Sequence, residues 1–158
     1  MDCNIYQWRV GSKFKKLVKN KELSNLYFDI SKEILIESIS DDSTDQLLFL
    51  SCIENSLSYL ADDIFENFKN DAKPIEHLNY IYKWNELSNL IALRNIIRKE
   101  LEQGGLINLI EISKNNFFKE EDKNLITTSS TNDLKKFNSI LDKYKAFKEL
   151  LRKTLDEC

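Results

Sequence analysis

LFLSCIENSLSYLADDI, residues 48–64, decides the fold class. Leu50, Ile53, Leu57, Leu60 and Ile64 follow one another at steps of three, four, three and four. That spacing places all five on one stripe of a helix, the pattern of a packing seam. The seam predicts a helix over about 44–70, preceded by the cluster SDDSTD at 40–45, which supplies a turn and an N-cap. The chain restarts at Lys73-Pro74, with Pro74 suited to a first helical position. The following periodicity predicts one helix from Pro74 to about Gln103, stopped by a left-handed cap at Gly104-Gly105. At 1.5 Å per residue such a helix spans roughly 45 Å. LINLIEISK then reads as a short helix, and residues 114–131, KNNFFKEEDKNLITTSST, as a loop. A last helix starts near Asn132-Asp133 and carries Leu134, Phe137, Leu141, Tyr144, Leu151 and Leu155 on one face, with Lys148 interrupting it. On the N-terminal side, Ser12 caps the basic segment KFKKLVKNK, in which Phe14, Leu17 and Val18 share a side. LSNLYFDISKEILIESIS follows, with Leu23, Tyr27, Ile30 and Ile34 in register, and the two stretches form either one bent helix or two. The expectation is an all-α protein, a single compact helical bundle of five to six helices over residues 1–158.

Composition points the same way. Three glycines and one proline in 158 residues are too few for a turn-rich β sandwich or a Gly-rich phosphate loop. Cys3, Cys52 and Cys158 have no metal-ligand spacing and no even count for a disulfide framework. No apolar stretch approaches the roughly 18 residues that span a bilayer, and MDCNIYQWRV lacks a signal peptide's apolar core. The sequence therefore reads as a soluble cytoplasmic protein, with the Lys, Asn and Ile usage of an AT-rich microbial or viral genome. Charge is uneven: six Lys/Arg face two acids over residues 1–24, and three face twelve over 25–76, in a chain of net −3. The acidic block is the largest departure from an even mixture.

On the wheel of the expected 74–103 helix, Leu87, Leu90, Ile91, Ile97 and Leu101 form a stripe with Arg94 at its centre and Arg98 on it. A guanidinium there needs a partner. Folding the seam helix back brings Glu54 within about a turn, so an internal Arg94–Glu54 pair is expected. The alternative is a partner-facing groove lined by Arg94 and Arg98. Arg94-Asn95 also resembles the first half of the Arg-Asn-x-x-x-His pattern of HEPN ribonucleases, over those two positions only. What the resemblance implies is a ribonuclease whose histidine acts in proton transfer. Lys99 stands in the histidine's place and is a poor general base at neutral pH. The only histidine, His77, lies 17 residues upstream of Arg94, about 25 Å along a helix. A degenerate HEPN-like ribonuclease is thus one of the alternatives, and no residue is named as catalytic.

Asp62, Asp63 and Glu66 fall opposite the seam and read as a solvated acidic face or a docking surface for a basic partner. Without Glu-x-x-His repeats they suggest no metal site, and no cofactor is expected. KFKKLVKNK, with Tyr6, Trp8 and Arg9 before it, reads as a surface helix or a phosphate-tracking segment. The expected function is a non-enzymatic interaction protein of inhibitor, immunity or regulatory-subunit type. It would meet a basic protein partner through Asp41, Asp42, Asp45, Asp62, Asp63 and Glu66. The alternative partner is nucleic acid, reached through the basic N-terminal segment. Self-association is compatible with either.

Overall fold

The computed structural model describes residues 19–37, 43–121 and 130–156. Six helices lie among them: α1 Asn20–Glu37, α2 Ser43–Asn67, α3 Tyr80–Leu87, α4 Arg94–Leu101, α5 Leu106–Glu121 and α6 Ser130–Asp156. There is no strand among the described residues, and the architecture is the expected all-α bundle.

The seam of α2 is its core. Leu50, Ile53, Leu57 and Ile64 are at most 1% exposed and Leu60 is 6% exposed. Three long helices meet there. Ser24 of α1 and Ser56 of α2 stand side by side, and each lies thirteen residues from the end of its helix nearest the intervening connection, so α1 and α2 run antiparallel. Phe49 meets Phe137 in a tilted ring contact and Ser56 bonds to Tyr144, the same offset in both cases, so α6 runs parallel to α2. A parallel pair needs a long connection. Residues 68–129 supply it, and α3 and α5 pack on α2 along the way.

The single helix expected from Pro74 to Gln103 is not what forms. Pro74 is exposed in an irregular segment, and α3 begins at Tyr80, where the Asn79 side chain accepts the Tyr82 amide at 3.1 Å. The chain then turns through Ser88–Leu93 before α4. Short polar side chains compete for the backbone there: Ser88 Oγ donates to the Asn85 carbonyl at 2.7 Å, and Asn85 Nδ2 to the Ile81 carbonyl at 3.0 Å. The break buries Leu87, Leu90, Leu93 and Ile97 together and turns Ile91 out to 87% exposure. A straight helix would have placed Ile91 on the buried stripe.

The expected stop after α4 is present. Gly104 sits at φ 83, and a Cβ on Gly105 would collide with the Lys99 and Glu100 carbonyls. The loop expected over 114–131 is corrected in its first half, because α5 continues to Glu121. Phe117 falls one turn further along the buried face of Ile110 and Ser113 and is itself only partly exposed. The Ser12-capped segment through Val18 lies outside the described residues, as do Cys3 and Cys158. Cys52 is a free thiol buried in α2, and burial pushes its pKa up.

Two leucines of α2 should separate cleanly in chemical denaturation. Leu57→Ala, at a fully buried position, is expected to lower unfolding free energy by about 2–5 kcal/mol. Leu48→Ala, at a position 49% exposed, should change it by less than about 0.5 kcal/mol.

Candidate docking groove and the ion pairs behind it

A groove of about 590 Å³ opens between the C-terminal turns of α2 and α6, beside the start of α1. Helix length is its cause. The antiparallel register set by Ser24 and Ser56 brings Asn20 level with the Leu60 turn, so the last turns of α2 have no α1 residue opposite them. Leu60, Ile64 and Phe68, four residues apart, form one wall with Leu151 and Leu155 of α6. Charged rows edge it. Asp63, Asn67 and Asp71 repeat every four residues on the α2 side, while Lys148, Arg152 and Asp156 do so on the α6 side, with Lys21 at the mouth.

Lys148 is the odd member of its row. It is half-buried, its ammonium donates to Asn25 Oδ1, and burial pulls its pKa below the ordinary lysine value. Asp29 and Asp63 act against that shift, and Lys21 and Lys32 add to it. Arg152 has a loose contact with Asp156 at 3.8 Å.

The acids expected to face a partner are divided among different tasks. Asp62 turns inward, and Lys83 Nζ donates to both its carboxylate oxygens at 2.7 Å. The Lys83 side chain is 5% exposed and Asp62 is 19% exposed, so this is a structural ion pair. Burial raises the Asp62 pKa, and the Lys83 hydrogen bond and charge oppose the rise. Asp63 stands on the groove edge, and Glu66 is exposed and pairs with Lys69 at 2.5 Å. Asp45 sits partly exposed in the first turn of α2, where a negative charge suits the helix dipole. Asp41 and Asp42 lie outside the described residues.

The expected Arg94–Glu54 pair is not formed. Lys114 of α5 takes Glu54, with Nζ at 2.7 and 3.0 Å from its two oxygens. Arg94 Nη2 donates instead to the Asn89 carbonyl at 3.2 Å, and its Nε is buried without a partner. The turn at Ser88–Leu93 is the reason. It puts Arg94 at the first position of a new helix, while the extended α5 delivers Lys114 to α2. Arg98, Asn95 and Lys99 are all exposed.

Three features escaped the sequence reading. Two are the burial of Lys83 and the half-burial of Lys148, for which the interruption of an apolar stripe, noted for Lys148 alone, was the available signal. The third is a hydroxyl chain in the core. Ser56 Oγ donates to the Ser24 carbonyl at 2.6 Å, so the 2.6 Å contact between Ser56 Oγ and Tyr144 has the phenol as donor. Ser24 Oγ completes it at 3.2 Å from the Tyr144 oxygen. His77 is exposed, and no group of three or more potential metal ligands assembles among the described residues. No helix among them is long and apolar enough to cross a membrane. Compared with family models, curated proteins and solved structures, the chain matches none. What the groove offers chemically is recognition: an apolar wall between an acidic edge and a mainly basic one.

Neighbouring aspartates should behave oppositely on substitution. Asp62→Asn strands the buried Lys83 charge and is expected to cost about 3–5 kcal/mol, whereas Asp63→Asn should cost under about 0.5 kcal/mol, both by urea denaturation. Lys148 gives a pH-dependent counterpart. Its depressed pKa means that the protonated form is held less well in the folded chain than in the unfolded one. That penalty is present at neutral pH and disappears as pH rises through the folded pKa toward the ordinary value of 10.5. Lys148→Met should therefore raise the melting temperature at pH 7, with a gain that shrinks as pH approaches 10.5.

Proposed function

We propose that this chain is a non-enzymatic, cytoplasmic interaction protein of inhibitor, immunity or regulatory-subunit type that docks on a basic protein partner. The observation that carries the reading is where its acids are placed. Between Ser43 and Asn79, seven acids accompany two lysines. Glu54 and Asp62 serve Lys114 and Lys83 inside the fold. Asp45, Asp63, Glu66, Asp71 and Glu76 remain at the surface, and the last four crowd the C-terminal end of α2 and the turn after it. Surface charge of one sign gathered at one end steers an oppositely charged partner and raises its rate of encounter. The apolar wall beside Asp63 and Asp71 supplies what charge alone does not, a surface on which contact excludes water.

The reading is tested once a partner has been recovered by affinity capture from the source organism. Surface plasmon resonance should give an association rate that falls steeply as salt rises from 0.01 to 0.1 M, where the Debye length shrinks from about 30 to about 10 Å. The triple change Asp63→Lys, Glu66→Lys, Asp71→Lys should slow association by about tenfold or more with little loss of melting temperature. An association rate indifferent to both salt and the triple change would overturn the proposal.

A further inference from the structure

The groove continues a seat in which α2 and α6 already hold a helix. Toward the middle of the bundle α1 lies against both of them: Ser24 meets Ser56 and Tyr144, and Asn25 meets Lys148. At the groove mouth α1 stops. Its first turn is closed there, with the Glu22 carboxylate accepting the Lys19 amide at 3.2 Å and the Lys19 carbonyl accepting the Leu23 amide at 3.2 Å. The two walls run on past it. Leu60, Ile64 and Phe68 continue along α2 at steps of four, and Leu151 and Leu155 do so along α6.

We propose that the groove receives an amphipathic helix of a partner protein, with Lys or Arg along the flank facing α2 and Asp or Glu along the flank facing α6. The inference rests on the reading above that a protein docks at this end of the bundle, and it names the element that docks. Backbone chemistry selects a helix. An extended segment on the apolar wall would leave its N–H and C=O groups unpaired, because α2 and α6 spend theirs within their own turns, whereas a helix satisfies its own. Side-chain rows four residues apart are also the ridges between which the ridges of another helix fit. The edges select the charges. On the α2 side Asp63 and Asp71 form no ion pair among the described residues, so both remain available to cations. On the α6 side it is an anion that is missing. Lys83 and Lys114 are each held by both oxygens of a carboxylate, but half-buried Lys148 has only the Asn25 amide oxygen as acceptor. A carboxylate on the docking helix would complete Lys148 and reach Arg152 one turn further along.

Fluorescence anisotropy with designed peptides on the full-length chain tests this without a recovered partner. The probe is a stapled helix with leucines at i, i+4 and i+7, lysines on one flank and glutamates on the other. It should bind saturably, and the same side chains on a peptide interrupted by proline should not. The paired rim change Phe68→Ala, Leu155→Ala should weaken the probe by roughly tenfold or more. Arg152→Glu, at an exposed position, should weaken it severalfold and should strengthen a second probe whose glutamates are replaced by lysines. No saturable binding, equal binding of the proline peptide, or indifference to both groove variants would each overturn the inference. Self-association of the chain that the probe displaces would make a second copy the occupant, and that overturns it too. The partner reading fails or stands separately, on the salt dependence and the triple reversal. A recovered partner that obeys both while no helical probe binds would keep that reading and sink this one.

Discussion

Three hydroxyls fix the relation of the three long helices. Ser56 donates to the Ser24 carbonyl, Tyr144 donates to Ser56, and Ser24 closes the set from α1. All three side chains are fully buried, so each polar atom needs a partner. Apolar stripes alone tolerate sliding by a turn, since one leucine replaces another in a seam. A buried hydroxyl chain does not, because a one-turn shift would leave several donors and acceptors unsatisfied at about 1–3 kcal/mol each. Phe28 stacked on Tyr144 at 4.6 Å holds the phenol in place from the α1 side. The level at which α1 begins, and hence the position and length of the groove, follows from this register.

The internal ion pairs add a second constraint, on the shorter helices. Lys83 reaches Asp62 from α3, and Lys114 reaches Glu54 from α5, so α3 and α5 are each tied to α2 by one charge pair. Trp84, fully buried next to Lys83 and edge-on to Phe147 at 5.0 Å, ties α3 to α6 as well. Removing water from such pairs is costly, and their contribution is to orientation more than to net stability. They also use up two of the acids that would otherwise add to the exposed negative charge.

Periodicity made the long helices legible, because α2 and α6 bury stripes that their spacing states openly. The α3–α4 region was misread for a physical reason. A hydrophobic wheel registers apolar positions but not the competition of Asn85 and Ser88 side chains for backbone carbonyls. The polar partners were misassigned for a related reason. Glu54 was visible as an acid beside the seam, but its cation, Lys114, came from a stretch whose Lys, Asn and Glu content reads as loop. Of the acids named for docking, Asp63 and Glu66 stand at the surface and Asp62 does not. Asp62 and Asp63 are adjacent in sequence, and Lys83 of α3 takes only the first of them.

The parallel arrangement of α2 and α6 carries a consequence for folding order. The α1–α2 hairpin closes over a short connection, and Ser24 and Ser56 are 32 residues apart in sequence. Tyr144 must find Ser24 across 120 residues, after the intervening helices have condensed. Contacts of low sequence separation form at small loop-closure cost, so the hairpin is the natural nucleus, and α6 docks late. Until it does, Ser56 and the Leu60–Ile64 surface are exposed to water. The time taken for α6 to arrive is therefore the interval in which this chain is most open to misassembly.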